Sequence, residues 1–246
     1  MRMRKKKNGA KRIENLSALF IKNEDKPLEI SEIFASTAEK PLRIEIGCGK
    51  GDFVCGISAT EPDYNYIALE RVGDVIMSAA EKYAVSRDLG HLDDHGAWLA
   101  PDGKLYDGEA YDVPAEMRGN VRFVCGEAKE FLSRLPDNSV ESIYTNFSDP
   151  WPKKGYVSRR LTHSSFLKEY ARVLVNGGML KLKTDNDGFF DYSLESIGDS
   201  DFEIVAYTRD IDSSVDFSVG NVETEYERNF KSKGVKIKAL RAVIKK

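Results

Sequence analysis

The chain has 246 residues, a formal net charge of −3, 41% hydrophobic residues and 31% charged residues. This length and composition suit one large globular domain with a sizeable core. The sequence contains no run near the roughly 20 apolar residues that a membrane span requires, and its first residues lack the apolar segment of a secretion signal. We therefore expect a cytoplasmic protein that is not bound to a membrane.

The three cysteines are Cys48, Cys55 and Cys125, and no pair of them has CxxC spacing. An odd number of cysteines with these spacings argues against a disulfide framework and against a structural zinc site. The sequence therefore predicts reduced, buried thiols.

Positive charge is concentrated in three places, although the net charge is slightly negative. The first twelve residues carry seven cations and no acid, and the residues after Glu227 carry eight cations and no acid. A third group comprises Lys153, Lys154, Arg159 and Arg160. Such clusters are typical of proteins that neutralise nucleic-acid phosphates, because each neutralised phosphate releases counterions. Solvated surface charge is the alternative for any one cluster taken alone.

From Pro41 onwards, apolar segments with the length of strands alternate with helical stretches. This alternation indicates βαβ units and a mostly parallel sheet. We predict an α/β fold in one domain at 41–246, preceded by a basic arm and a lead-in helix at 1–40. The last two strands are expected to pair as an antiparallel edge. The predicted strands are residues 42–47, 64–70, 121–126, 140–147, 179–184, 201–208 and 235–245.

Residues 88–119 interrupt this alternation with eight acids and no sustained periodicity. We interpret them as an acidic surface insertion between a helix and the third strand. Within it, the sequence HLDDH places His91 and His95 four residues apart, a spacing that can bind metal on a helix. A solvated acidic loop is the preferred interpretation, so no metal site is predicted.

The first predicted strand runs into EIGCGKGDF, which has glycine at positions 47, 49 and 51. Glycine at a strand-to-helix junction lets the backbone turn tightly and lets a ligand approach without a Cβ in the way. The second predicted strand ends at Glu70, 19 residues after Gly51, where a carboxylate accepts hydrogen bonds from the ribose hydroxyls of an adenosine. These features predict a cofactor that contains adenosine.

Glu45 lies inside the strand just before the glycines, where a buried carboxylate is costly without a partner. The ammonium of a bound amino acid suits it, and the glycine spacing is GxGxG rather than the GxGxxG of dinucleotide sites. Together these features indicate S-adenosyl-L-methionine, with Glu127 beside the adenine. The alternative cofactor is a nicotinamide dinucleotide. The alternative for Glu45 is a surface position on an edge strand, without a ligand contact.

The segment DPWPKK follows the fourth predicted strand and therefore lies at the same edge of the sheet. Its two prolines have fixed φ angles and hold Asp149 in place. A preorganised carboxylate of this kind binds the edge of a base or stabilises developing positive charge. Trp151 has two alternative roles: its side chain either stacks on a base or packs within the protein.

The same segment, with RRLTHSSFL after it, KLKTDN at 181–186 and TEYERNFKSKG at 224–234, resembles the tRNA (guanine-N7-)-methyltransferase family. The resemblance runs in order through nearly the whole chain. It implies a Rossmann-like class I methyltransferase fold, with a mostly parallel seven-stranded sheet, an antiparallel C-terminal hairpin and helices on both faces. It also implies methyl transfer from S-adenosyl-L-methionine to N7 of a guanine in the variable loop of tRNA.

The resemblance further implies roles for individual residues. Asp149 matches the catalytic position of the family, and no metal is implied. We expect a monomer or homodimer without an obligate protein partner. The predicted cofactor site comprises Glu45, Gly47, Gly49, Gly51, Glu70, Glu127 and Asp149, and the positions that match tRNA contacts are Lys153, Asp185, Thr224, Glu225, Tyr226 and Glu227.

Two features depart from the family pattern. After DPWPKK the usual sequence is richer in cations and contains a histidine, whereas Gly155, Tyr156 and Val157 precede Arg159 here. This departure concerns the phosphate contacts of the loop and leaves the other motifs intact. The insertion at 88–119 is longer than expected, and we expect it to lie away from RNA because its acids repel phosphates.

Two other functions are compatible with parts of this sequence. The DPW turn also resembles the Asp/Asn-Pro-Pro-aromatic turn of enzymes that methylate exocyclic amines, but TEYE and KLKTDN argue against that class. A non-catalytic tRNA-binding protein of the same fold is the other alternative. The intact glycines, Glu70 and Asp149 favour an active enzyme.

Overall fold

A computed structural model describes residues 16–22, 24–93, 98–99, 101 and 118–246. Within them, seven strands form one sheet in the order β3–β2–β1–β4–β5–β7–β6. The first five strands are parallel, and β7 lies antiparallel between β5 and β6. The strands are β1 Leu42–Ile46, β2 Asn65–Glu70, β3 Val121–Cys125, β4 Val140–Asn146, β5 Leu174–Thr184, β6 Phe202–Thr208 and β7 Lys238–Ile244.

Helices cover both faces of the sheet. Because successive side chains of a strand point to opposite faces, Tyr66 and Ala68 of β2 pack with α2 and α3, whereas Ile67 and Leu69 pack with α4, α5 and α6. Burial on both faces also encloses polar side chains of the central strands, such as Glu45 and Lys183. The helices are α1 Ile30–Ile33, α2 Asp52–Thr60, α3 Gly73–Ser86, α4 Ala128–Ser133, α5 Ser164–Val173, α6 Asp187–Gly198, α7 Val215–Ser218 and α8 Glu225–Lys231, with 3-10 turns at Ser17–Leu19, Lys154–Arg159 and Ile211–Ser213.

The predicted fold class is confirmed, including the antiparallel pairing of the last two strands. Most strand boundaries agree to within one residue, but β7 begins at Lys238 rather than at the predicted residue 235. The largest difference is in β5. Strand β5 begins at Leu174 rather than at the predicted residue 179, because the ladder with β4 continues through a bulge that contains Gly177. Residues 175–178, VNGG, were assigned to no strand, although Leu174 before them and Met179 after them both pair with β4.

The segment before β1 packs against the sheet. Leu16 and Leu19 are fully buried, and the Ile21 amide donates a 2.9 Å hydrogen bond to the carbonyl of Phe123 in β3. Of the lead-in helix expected within 1–40, the described residues contain only the short helix α1 and one 3-10 turn. The basic arm at 1–12 lies outside the described residues.

Most of the acidic insertion also lies outside the described residues, including His95. In its described part, His91–Leu92 pairs antiparallel with Trp98–Leu99. No metal-binding group of three or more histidine, cysteine or acidic side chains occurs in the described part of the chain. All three cysteines are free, as predicted, but only Cys48 is buried, and the prediction of burial is wrong for Cys55 and Cys125, which are half-buried. No described helix is long and apolar enough to cross a membrane.

Candidate cofactor and active site

A cleft of about 770 Å³ opens at the carboxyl ends of β1, β2, β3 and β4. Strand order reverses between β1 and β4, and ligands of open α/β sheets bind at such switch points. The cleft brings together four residues from the predicted cofactor site, one after each of these strands. They are Gly47, Glu70, Glu127 and Asp149.

The glycine turn forms the end of the cleft at β1. The amides of Gly47 and Cys48 both donate 2.8 Å hydrogen bonds to the Leu69 carbonyl of β2. Gly47 has a φ of 80°, and no atom lies within 4 Å of the position that a Cβ would take, so the backbone borders open space. Gly51 has a φ of 79°, and a Cβ there would lie 2.7 Å from that of Ala79. Gly51 therefore allows α2 to pack closely on α3.

Glu45 lies beneath this turn on a central strand, so the alternative of a surface position on an edge strand is wrong. Its Oε1 accepts a 3.1 Å hydrogen bond from Asn146 Nδ2. Its Oε2 is buried and has no hydrogen-bond partner among the described residues. Burial raises the pKa of Glu45 to about 7, although Asn146 and the charge of Lys183 oppose this shift. Glu45 does not itself line the cleft, but the next two residues, Ile46 and Gly47, do, and an unpartnered carboxylate oxygen at this position fits a cationic ligand group.

This raised pKa predicts a pH-dependent affinity for S-adenosyl-L-methionine. If ionised Glu45 binds the ligand ammonium, affinity is expected to fall as pH drops through about 7, by up to about tenfold per pH unit. Glu45→Gln is expected to remove this dependence and to weaken binding at alkaline pH by about tenfold. Calorimetric titration of both proteins on either side of neutral pH checks this. Equal pH dependence in the two proteins would show that Glu45 does not contact the ammonium.

The other three acids differ in exposure. Glu70 is half-buried, and its Oε1 accepts a 3.0 Å hydrogen bond from the Val72 amide. Glu127 is exposed at the N-cap position of α4, and Asp149 is exposed on the opposite side of the cleft, in the loop after β4. Several carboxylates around one cleft suit a ligand that is rich in hydroxyl and amino donors.

The four cations after Asp149 make different contacts. Lys153 and Lys154 are exposed. The guanidinium of Arg159 lies 5.0 Å from the Trp151 ring and 4.7 Å from the Tyr156 ring. Arg160 donates hydrogen bonds to the loop itself. Lys153, Lys154 and Arg159 are thus exposed cations, whereas the geometry of Arg160 indicates a role within the loop.

The TEYE sequence forms the first turn of α8. Thr224 is the N-cap, and its Oγ1 accepts a 3.0 Å hydrogen bond from the Glu227 amide. The Glu227 side chain is fully buried and lies 2.7 Å from Lys183 Nζ and 2.8 Å from Asn221 Nδ2. Thr224 and Glu227 therefore make internal contacts, while Glu225 and Tyr226 are exposed.

Tyr226 lies next to the part of the cleft that Phe147 lines. Its ring centroid is 4.9 Å from that of Phe147, which lines the cleft, and 4.5 Å from that of Phe230. Burial raises its pKa, and the negative charges of Asp185 and Asp149 add to this effect. The charges of Asp185 and Asp149 therefore both act on Tyr226, although of these three residues only Asp149 lines the cleft.

Three residues that sequence reasoning did not assign connect these parts. Asp52, the first residue of α2, accepts a 2.9 Å hydrogen bond from the Glu225 amide and pairs with Lys82. It therefore ties the glycine turn to α8. Lys183 and Asn146 hold Glu227 and Glu45 respectively. Polar residues at inward positions of buried strands are the signal that marks Lys183 and Asn146 in the sequence.

This sheet order, with a glycine turn after β1 and acids after the next strands, defines a class I methyltransferase, the S-adenosylmethionine-dependent class. The fold matches the 16S rRNA methyltransferase KamB with a TM-score of 0.56 and 12% identity, over 92% of this chain and 99% of that one. It also matches a 16S rRNA (adenine(1408)-N(1))-methyltransferase of Catenulisporales acidiphilia, solved with its cosubstrate SAM. That match has a TM-score of 0.52 and 11% identity, over 90% of this chain and 93% of the other.

Sequence comparison identifies the family. A family model described as a putative methyltransferase matches residues 39–240. The tRNA (guanine-N(7)-)-methyltransferase of Listeria monocytogenes serotype 4a (strain HCC23) is 35% identical over 98% of both chains, as is the protein of that name from Listeria welshimeri serovar 6b. The chain belongs to the tRNA (guanine-N(7)-)-methyltransferase family. The class and the family are those that the resemblance of DPWPKK and TEYE implied, so this prediction is confirmed.

Proposed function

We propose that this enzyme methylates N7 of a guanine in the tRNA variable loop, with Asp149 as its catalytic residue. The observation that carries this assignment is the single cleft that joins Glu70, Glu127 and Asp149, beside an exposed aromatic ring at Tyr226. A methyl donor held by the first two acids would place its reactive group toward the third. The variable loop is the part of the proposal that follows from the family resemblance alone.

The residues around the cleft fit S-adenosyl-L-methionine. Glu70 would accept hydrogen bonds from the ribose hydroxyls, Glu127 would lie beside the adenine, and Glu45 would bind the α-ammonium. The open space beside Gly47 and Gly49 would admit the ligand. When bound, the cofactor supplies an electrophilic methyl group on a sulfonium.

The chemical step needs positioning more than proton transfer. The N7 lone pair of guanine attacks the methyl carbon, the carbon–sulfur bond breaks, and its electron pair stays on sulfur as a thioether. No proton has to leave N7 beforehand, so in-line alignment supplies much of the rate. The purine gains positive charge as the bond forms, and Asp149 and Asp185 would stabilise that charge or bind the N1 and exocyclic amine hydrogens of guanine.

We assign direct tRNA contacts to Lys153, Glu225 and Tyr226, which are exposed. Thr224 and Glu227 would support recognition indirectly, because their side chains are occupied in capping α8 and in the ion pair with Lys183. Tyr226 would offer a ring for base stacking, which is typical of RNA recognition. Asp185 would act beside it.

The basic arm at 1–12 is predicted to contribute phosphate contacts, because it carries seven cations and no acid. Deleting these residues is expected to weaken tRNA binding and to make the slope of log K against log salt less negative by about 0.7 to 0.9 for each lost contact. Binding titrations at several salt concentrations measure that slope. An unchanged slope would mean that the arm is only a solvated tail.

We also propose that the enzyme acts in the cytoplasm as a monomer or homodimer, without an obligate protein partner. The methyltransferase activity of the purified chain, together with light scattering at the assay concentration, tests the second part. Activity that appears only after a second protein is added would contradict it.

The decisive experiment for this function is to map the methylated atom. Reduction and aniline treatment cleave RNA selectively at 7-methylguanosine, so cleavage in the variable loop after incubation would support the proposal. A methyl group on an exocyclic amine leaves the chain intact and would favour the amine-directed class. Calorimetric binding of S-adenosyl-L-methionine without any transfer would favour a non-catalytic tRNA-binding protein.

A further inference from the structure

The turn that carries Asp149 has an unusual backbone. Trp151 has a φ of 42° and Phe147 has a φ of 52°, in the left-handed region that side chains other than glycine seldom adopt. Residues in this region persist only where the surrounding structure holds them. The two prolines of the turn have no N–H group, so the turn has few donors of its own.

Arg160 supplies donors to this turn. Its Nε donates a 2.9 Å hydrogen bond to the Pro150 carbonyl, and its Nη2 donates a 3.1 Å hydrogen bond to the Trp151 carbonyl. One rigid guanidinium therefore binds two successive carbonyls directly after Asp149. A lysine cannot reproduce this, because its ammonium is a single point charge without the planar fork.

Arg160 is itself anchored on the side away from the cleft. Its guanidinium lies 4.3 Å from the ring centroid of Tyr192 in α6, and Tyr192 packs against the main core. Arg159 and Leu161 line the cleft, whereas Arg160 does not. Contacts from the core to Tyr192, and from Tyr192 to Arg160, thus connect the core to the Asp149 turn.

We propose that Arg160 is a positioning residue, which holds the Asp149 turn in its catalytic conformation rather than contacting a tRNA phosphate. This inference deepens the proposed function and rests on it for the role of Asp149. The competing interpretation, a phosphate contact by the last cation of DPWPKKGYVSRR, predicts different kinetics and a different salt dependence.

Two variants of Arg160 separate the interpretations. Arg160→Gln is expected to lower kcat at saturating tRNA by up to about 100-fold, with tRNA affinity and the salt slope unchanged. Arg160→Lys keeps the charge and is expected to lose a similar part of kcat. A phosphate contact predicts the reverse: a slope less negative by about 0.9 for the glutamine variant, and near-normal turnover for the lysine variant. That outcome would overturn the proposal.

Lys153→Gln is the comparison for the salt measurement. It removes one exposed cation from the same segment, and we assign that cation to tRNA. The slope of log K against log salt should therefore become less negative by about 0.9.

Tyr192→Leu removes the ring beneath the guanidinium without changing any charge. It is expected to lower kcat less than Arg160→Gln does, with the salt slope unchanged. Wild-type kcat in Tyr192→Leu would contradict the anchoring step.

A fluorescence measurement tests the turn independently of activity. The chain has two tryptophans, Trp98 and Trp151, so a Trp98→Phe background reports on Trp151 alone. Acrylamide quenching of Trp151 is expected to increase in Arg160→Gln while the thermal unfolding temperature stays close to that of the parent. Unchanged quenching would overturn the positioning role even if the enzyme methylates as proposed. Increased quenching in a protein without methyltransferase activity would instead show that the proposed function has failed.

Discussion

Asp149→Ala is expected to lower kcat by about 10²- to 10³-fold, the loss typical of removing one group that stabilises transition-state charge. Asp149 is exposed and makes no hydrogen bond or ion pair with any residue in the described ranges. The free energy of unfolding should therefore change by no more than about 0.5 kcal/mol. Single-turnover transfer of labelled methyl groups, with saturating cofactor and tRNA, measures the effect.

Asp201→Ala is the matched control for this experiment. Asp201 is also an exposed aspartate, but it precedes β6 at the end of the sheet opposite the cleft, because Phe202 pairs with Ile244. Its removal should leave kcat unchanged. Near-normal turnover in Asp149→Ala would show that Asp149 is not catalytic, and equal losses in the two variants would indicate a general effect on folding.

Lys183→Met is expected to lower the free energy of unfolding by about 1–3 kcal/mol, because it removes the closest hydrogen-bonded cation from the buried carboxylate of Glu227, which keeps Lys231 Nζ at 3.2 Å. Lys183 Nζ lies 2.7 Å from Glu227 Oε2, and it also donates to Asn221 Oδ1 and to the Val222 carbonyl. The variant also loosens α8, which carries Tyr226. Denaturant unfolding followed by far-UV circular dichroism measures the stability change.

A second substitution tests whether the buried charge is the cause. In Lys183→Met/Glu227→Leu no carboxylate is left without its cation, so most of the lost stability should return. Lys236→Met breaks an ion pair with Asp210 in which the lysine side chain is 70% exposed, and should cost less than about 1 kcal/mol. If Lys183→Met costs no more than Lys236→Met, the ion pair with Glu227 does not hold α8 in place.

The sheet could be predicted because its signals are local. Short segments rich in apolar residues alternate with stretches of helical periodicity, and this alternation predicts both the element types and the parallel pairing. The early start of β5 at Leu174 could not be predicted, because a bulge around Gly177 is decided by the partner strand β4. The 3-10 turn at Ser17–Leu19 likewise depends on packing of Leu16 and Leu19 with Phe123 of the distant strand β3.

The candidate site shows the same division. Glu70, Glu127 and Asp149 follow three successive parallel strands, so their convergence follows from topology. The internal contacts of Thr224 and Glu227 depend on Lys183, which is distant in sequence. One local signal was nevertheless present. TEYE has the T-x-x-E spacing of a capping box, and Thr224 does cap α8.

Methyl transfer from labelled S-adenosyl-L-methionine to unmodified tRNA tests the central claim most directly, when compared with a transcript in which adenine replaces the variable-loop guanine. Label in the first RNA and none in the second is the predicted result. That result would identify the cofactor, the substrate and the target base together. Label in both RNAs would show that the target base is wrong. Label in neither would contradict the claim that this chain alone is an active tRNA methyltransferase.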